Sequence, residues 1–542
     1  MPAQSEVLVA PAPPRAAPPR RPPGRKMVRW FAPGVFALTG VRAVISATIG
    51  KQADRRVLDA LAVPGPEAVD LSVDEAGRPR EELWLDYVSD LGDGWDSTYE
   101  VAREVARRRL VLRDEQGQEH ETAGGEVLVF GGDEVYPTAN LREYEERTVR
   151  PWEAAFRGQR PRPHLFAVPG NHDWYDGLVS FSRLFCQGRA LPAWVTHQRR
   201  SYFAAKLPHG WWLIGLDMQL ESDIDEPQVE YFQQLCEREM GEGDRIILCL
   251  AEPAWLLEQV RPPRHRGRSY LENNLDFLER AVFRRRVSVF LAGDIHHYRR
   301  HAHEDGRQKV IAGGGGAFLH PTHHPKRSRP LVGGFTEQKC YPSASVSRRL
   351  CWRNLGFLGR NPTFGLLTGA LYVVLSWAFL ARGAQGGNLL EVLLEPGVLL
   401  VAGLLVLGLI GFADERFGRW RWLAGLVHGL AHGVAAFLLA WGALWLTGSV
   451  LGMEPASAWR DLVGALVVFA GGFVVGPTLM GVYLLISLNA FGAHPNEAFS
   501  SLACPDWKNF IRMKIDRDGK LWLYPVGIQR VPRRWKPGAT VR

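Results

Sequence analysis

Four short stretches carry side chains that could grip cations and move protons. They are Asp90 in "VSDLGDG", Asp133 in "FGGDEVYP", Asn171-His172 in "PGNHD" and Asp294-Ile295-His296-His297 in "AGDIHHY". Carboxylate, amide oxygen and imidazole gathered at one point make a mixed oxygen and nitrogen donor set, which suits Mn, Fe or Zn better than thiolate-loving metals. A carboxylate such as Asp133 can bridge two cations, and a cation pair ~3.5–4 Å apart forms a clamp for phosphoryl chemistry. His172 directly follows Asn171, so it is expected to face a substrate instead of a cation. There it would stabilise charge or protonate a leaving oxygen.

The elements that must position these groups are legible around them. "LWLDYVSD", "EVLVFGGD", "HLFAVPGN", "WWLIGLD", "RIILCLAEP" and "VSVFLAGD" read as buried strands, most of them ending in Asp, Asn or Glu. "STYEVAREVARRRL" reads as a helix with Ser97 or Thr98 as its N-cap. Strand-helix alternation predicts an α/β layered domain, whose ligands sit beyond the carboxyl ends of the strands. Positions 90, 133 and 171 are spaced by 43 and 38 residues, each about one strand-helix-strand unit. Adjacent parallel strands would therefore bring these side chains to one edge of a sheet. Asp217, ending "WWLIGLD", is expected to cap a strand.

The series D-x-G, GGD, GNHD and GDxHH, over roughly residues 80–325, resembles the calcineurin-like metallophosphoesterase superfamily. The resemblance implies a four-layer α/β/β/α sandwich, two metal ions and hydrolysis of phosphomonoesters or phosphodiesters. It implies that Asp90 and His296 bind the first metal, that Asp133 bridges, and that Asn171 binds the second. The chain departs from the family pattern in three places. Gly92 stands where a histidine ligand is usual; purple acid phosphatases share this glycine and compensate with a tyrosine three residues after the bridging aspartate, where Tyr136 stands here. Tyrosinate prefers Fe(III). Tyr136 is thus either a ligand or a residue packed beside Pro137, and Asp93 is an alternative ligand. Ala251 occupies the place of a further histidine, with Glu252 beside it, and Asp294 replaces a histidine in the last motif, where a carboxylate can still ligate. The second site is then oxygen-rich or loosely filled. His297 is expected as a second partner to the ligands, and His320 and His323, after the run Gly313 to Gly316, either line a phosphate pocket or lie on the surface. The implied cofactors are two divalent or mixed-valence ions (Mn, Fe or Zn).

Beyond residue 360 the composition changes. Residues 364–381, 396–412, 423–447 and 465–488 are almost free of charge and read as four transmembrane helices. Arg348, Arg349, Arg353 and Arg360 precede the first, and Arg416, Arg419 and Arg421 lie between the second and third. Positive residues favour the cytoplasmic side, so the enzyme half and the C-terminus are expected there. Gly425, Gly429 and Gly433 form a helix-packing seam, which could serve a homo-oligomer. His428 and His432, one turn apart, are read as facing the bundle or the interface. Residues 491–542 form a C-terminal segment whose Asp518-Gly519 marks a hairpin turn, placed to join the domain at 28–350. Residues 1–27, rich in Pro, Ala and Arg, are expected to be a disordered basic tail. Net charge is +8; anionic lipid suits it, and no nucleic-acid motif is present. Six scattered cysteines fit a reducing compartment. The reading is a membrane-anchored metal-dependent phosphoesterase; the alternative is a catalytically weak metal-binding sensor or scaffold of the same fold.

Overall fold

The computed structural model describes residues 24–535 apart from 36–67, 160, 189, 219–223, 257–269, 326–330, 332, 384–393 and 456. Sixteen strands follow in chain order among these residues: β1 Val69–Asp70, β2 Leu83–Val88, β3 Arg109–Arg113, β4 Glu119–Ala123, β5 Val127–Phe130, β6 His164–Ala167, β7 Val195–Thr196, β8 Phe203–Leu207, β9 Trp211–Gly215, β10 Arg245–Leu250, β11 Val287–Ala292, β12 Tyr298–Ala302, β13 Gln308–Ala312, β14 Thr336–Tyr341, β15 Lys508–Ile515 and β16 Leu521–Ile528. One sheet has the order β16-β15-β2-β5-β6-β7 and the other β1-β8-β9-β10-β11-β13-β12-β14, with β3-β4 a separate ribbon. Both sheets are mixed: β2, β5 and β6 run parallel, while β15 lies antiparallel to β2 and to β16. The six apolar runs read as strands each contain one.

The two sheets pack face to face through Leu85, Val129 and Phe166 on one side and Leu213, Ile247 and Leu291 on the other. The outer faces are covered by helices. On β9, Trp211 and Leu213 point between the sheets, whereas Trp212 and Ile214 point outward to Phe232 and Leu235 of the helix Glu226–Arg238. A strand buried on both faces has no polar side to show, hence its unbroken apolar sequence. Helix α1, Trp95–Val105, presents Val101 and Val105 to Val88 and Phe130 of the smaller sheet. Its N-cap lies three residues before Ser97 and four before Thr98, the caps expected from sequence. Gly94 is the N-cap, and Ser97 Oγ instead donates to Gly316 O at 2.6 Å.

The C-terminal hairpin inserts as β15 beside β2. Its Arg512 is fully buried and donates to both oxygens of Asp86, at 2.7 and 3.1 Å. The N-terminal segment also differs from expectation. Residues 1–23 lie outside the described residues, but 24–27, assigned to the tail, are packed: Arg25 pairs with Glu146 at 2.5 Å, and its carbonyl accepts from Trp95 N.

Four apolar helices lie between the two parts of the domain: α2 Pro362–Gly383, α3 Pro396–Phe412, α4 Arg421–Trp445 and α5 Ala458–Ile486. Two of them, in the runs Glu415–Val450 and Ala458–Phe491, are long and apolar enough to cross a membrane. In the other two the apolar stretches among the described residues, Pro362–Trp377 and Pro396–Phe412, are shorter, so the four clear spans expected are not all borne out. The 17 residues of α3 rise only about 26 Å, less than the ~30 Å hydrocarbon core. The glycine seam is also partly used within the chain. Gly425 sits on the backbone of Ile410 and Gly429 on Val406, so two of the three small residues serve α3–α4 packing instead of a second copy. His428 and His432 are buried in the bundle, their Nε2 atoms 3.2 Å apart, with Tyr372 Oη 2.8 Å from His432 Nδ1.

Candidate metal centre

The parallel strands β2, β5 and β6 are neighbours, so the loops after them bring Asp90, Asp133 and Asn171-His172 to one edge. The loop after β11, in the other sheet, brings Asp294 and His296 to the same place. Asp90, Asp133 and Asp294 each sit in the left-handed region, with φ of 60°, 53° and 63°. For a non-glycine residue this costs roughly 1–3 kcal/mol, a strain that gathers at functional sites.

Tyr136 Oη is the point on which the donors converge. It lies 3.0 Å from Asp90 Oδ1, 3.0 Å from Asp133 Oδ2 and 3.0 Å from His296 Nε2. One hydroxyl proton cannot serve three acceptors. His296 donates from Nδ1 to Phe318 O at 2.7 Å, which leaves the Nε2 lone pair facing the carboxylates. That backbone anchor is the arrangement metal-binding imidazoles use to fix tautomer and orientation. Burial pushes the carboxyls of Asp90 and Asp294 up to about 7, and Asp133 is raised by burial and by Asp173, Asp90 and Asp294. Burial lowers His296 to about 3. Carboxylates crowded out of water beside a neutral imidazole would be favoured in their charged form by a cation among them. The residues present therefore fit a metal held by Asp90, Asp133, Tyr136 and His296.

Beyond Asp133 the arrangement is thinner. Asp133 Oδ1 accepts His172 N at 2.9 Å, and Asp294 N donates to Asp90 Oδ2 at 3.0 Å. A Cβ on Gly170 would collide with the Asp133 carboxylate, so glycine alone lets the Asn171 turn come this close. Ala251 stands next to Gly132 and offers no donor. Gly92 has φ +56°, and a side chain there would strike Glu134 O and Thr148, so no histidine fits that position without a backbone shift. Asp93, the alternative ligand, is occupied otherwise: its two oxygens accept Val28 N at 2.7 Å and Phe318 N at 3.1 Å.

His172 donates from Nδ1 to Pro137 O at 2.7 Å, leaving Nε2 free, and burial lowers it to about 4. Of His297, His320 and His323, the structure stacks His320 on His296 at 4.0 Å. His297 is buried, 2% exposed. His323 is buried as well and spends Nδ1 on Ser347 Oγ at 2.7 Å, joining the loop to the helix Ala344–Cys351. Asp217 takes the Trp174 indole N–H at 3.1 Å, a structural role.

Several neighbours of the centre carry no motif. Ser89 Oγ donates to Asp90 Oδ2 at 2.9 Å. Lys508, on β15, is fully buried; it donates to Ala317 O and faces Asp93 and Asp90. Trp30 packs on His172 at 5.8 Å and on Tyr136 at 6.2 Å. Trp30 and Lys508 come from segments far from the motifs, and only their tertiary placement reveals them.

This is the loop-end geometry of a metal-dependent phosphoesterase domain on an α/β double sheet. Residues 84–298 match the family model of the calcineurin-like phosphoesterases. Three of the solved structures similar to the chain are the following. GAP50, the anchor in the inner membrane complex of Plasmodium, is 13% identical over 47% of this chain and 76% of that one, with a TM-score of 0.31. Purple acid phosphatase PPD1 from yellow lupin (Lupinus luteus) seeds is 13% identical over 51% and 49%, with a TM-score of 0.29. PhoD is 11% identical over 47% and 59%, with a TM-score of 0.30. No curated protein matches the chain.

Proposed function

We propose that the chain is a membrane-anchored, metal-dependent phosphoesterase that hydrolyses a phosphomonoester or phosphodiester with two bound cations, drawn from Mn, Fe and Zn. The observation that carries this reading is the convergence of two carboxylates and an imidazole lone pair on the Tyr136 hydroxyl, all at 3.0 Å. Asp90, Asp133, Tyr136 and His296 would hold one cation, and Asp133, Asn171 and Asp294 the other. When bound, the pair would polarise phosphoryl oxygens and acidify a water. The chain's own part is then to orient and to supply protons. His172, tethered through Nδ1, presents Nε2 to the leaving oxygen; a bound anionic ester would favour protonation at Nε2, and that proton would pass to the leaving oxygen. Trp30 packs against that imidazole and limits its rotation. The arginines flanking the apolar helices support a cytoplasmic enzyme half.

Asp133→Asn tests the reading. It is expected to abolish turnover of nitrophenyl mono- and diesters with Mn, Fe or Zn supplied and to lower metal content; surviving activity would rule out a bridging carboxylate. The scaffold reading is favoured by one observation, the missing donors at Ala251 and Gly92. Metal quantification separates the two: two equivalents per chain support the enzyme, and one or none supports the scaffold.

A further inference from the structure

Three connections tie the metal centre to the membrane half. Trp30 contacts His172, and the next residue, Phe31, packs on Phe357 at 4.9 Å and on Phe364, in the first turn of α2, at 5.8 Å. Phe318, whose carbonyl anchors His296, shares a buried cluster with Met480, Leu484 and Leu485 in the last turns of α5 and Leu488 just beyond. His320, stacked on His296, is close enough to Asn496 and Arg416 to feel them electrostatically, and both belong to short helices that flank the apolar ones. The centre thus lies directly on the end of the bundle.

The bundle surface shows where that end sits. Exposed indoles gather toward the two ends: Trp352, Trp420 and Trp422 next to the domain, and Trp441, Trp445 and Trp459 toward the far end, with Trp377 between them. Trp422 and Trp445 are about 35 Å apart along α4. Between the two ends the exposed residues are apolar, among them Leu404, Leu407, Val427 and Val434. Indoles settle at membrane interfaces, and a patch of this extent is not a water-facing surface. Arg348, Arg349, Arg353, Arg416, Arg419 and Arg421 accompany the indoles next to the domain, where anionic headgroups would collect.

Resting on the phosphoesterase reading, we infer that the centre works at headgroup depth and that its substrate is the phosphate ester of a membrane lipid, whose acyl chains stay in the bilayer while the headgroup reaches His172 and the cations. Arg416 and His320 flank the route.

Full-length protein in detergent micelles, loaded with Mn, Fe or Zn, tests this. The probes are phosphatidic acid and phosphatidylglycerol, set against glycerol 3-phosphate and glycerophosphoglycerol, which lack acyl chains, and a nitrophenyl phosphate. The lipid esters should exceed their acyl-free counterparts in kcat/KM by about tenfold or more, as expected when the apolar part of an amphiphile also contributes to binding. The rate should fall as detergent dilutes the lipid at constant bulk concentration. Trp420→Ser with Trp422→Ser should lower lipid hydrolysis and leave nitrophenyl phosphate turnover unchanged. Acyl-free esters cleaved as well as lipids would overturn the inference and keep the phosphoesterase reading. Hydrolysis of no probe at all would overturn both.

Discussion

Tyr136 places one hydroxyl among three acceptors, and His172 stands beside it with one nitrogen tied to Pro137 O. The division of labour between these rings is visible in their tethers: both donate Nδ1 to a carbonyl, but His296 turns Nε2 to carboxylates whereas His172 does not. If His172 protonates the leaving oxygen, His172→Gln should lower kcat about 10²–10⁴-fold on an alkyl phosphate. The loss should be much smaller on a nitrophenyl ester, whose leaving group departs without a proton. Steady-state kinetics with the two substrates checks this. Lys508 offers a second residue-scale test. Burial pushes its ammonium down to about 8 from 10.5. Between those values the unfolded chain binds more protons than the folded one, so stability from this group rises with pH across that window. Denaturant unfolding between pH 8 and 10.5 should show a rise that is flatter in Lys508→Met.

At the scale of elements, β15 is the strand on which the smaller sheet depends. It covers β2 along five registered pairs, Ile511–Tyr87 to Ile515–Leu83, and supplies Lys508 to the floor of the centre. Its Arg512–Asp86 pair is buried on both sides, so removing one partner leaves an uncompensated charge. Arg512→Met is expected to destabilise the domain by about 3–5 kcal/mol, and adding Asp86→Leu should recover most of that loss. Unfolding of both variants in the same detergent checks the pair. Elsewhere, strand ends rather than helices carry the chemistry. The three aspartates with positive φ lie just past β2, β5 and β11, where the chain turns out of the sheet.

At the scale of the whole molecule, the apolar helices are an insertion within the folded domain in chain order. The motifs end by residue 297, but the sheet is completed only by residues 508–528, after the last apolar helix. A chain stopped before residue 360 therefore lacks the edge that covers β2. It should be insoluble or lack cooperative unfolding, whereas a chain in which residues 360–500 are replaced by a short linker, keeping both strands, should fold better. Soluble yield and circular dichroism of the two chains test this. The α/β domain and the bundle are accordingly coupled, with Asn354 and Asn361 of the bundle entrance bonded to Ala498 O and Ser501 O of the exit.

The sequence by itself determined the strands, the order of the polar strand ends and the convergence of Asp90, Asp133 and the Asn171 turn, because side-chain period and spacing follow from local chain geometry. It left Tyr136 and Asp93 as alternatives, since both stand within a few residues of a motif; only packing decided that the Tyr136 hydroxyl faces the acceptors while backbone amides occupy Asp93. Nor could it show that His297 and His323 are buried, or that Trp30 and Lys508 border the centre. Those outcomes depend on which distant segments meet, and contacts between residues 30, 172, 318 and 508 leave no periodicity in the chain from which they could be read.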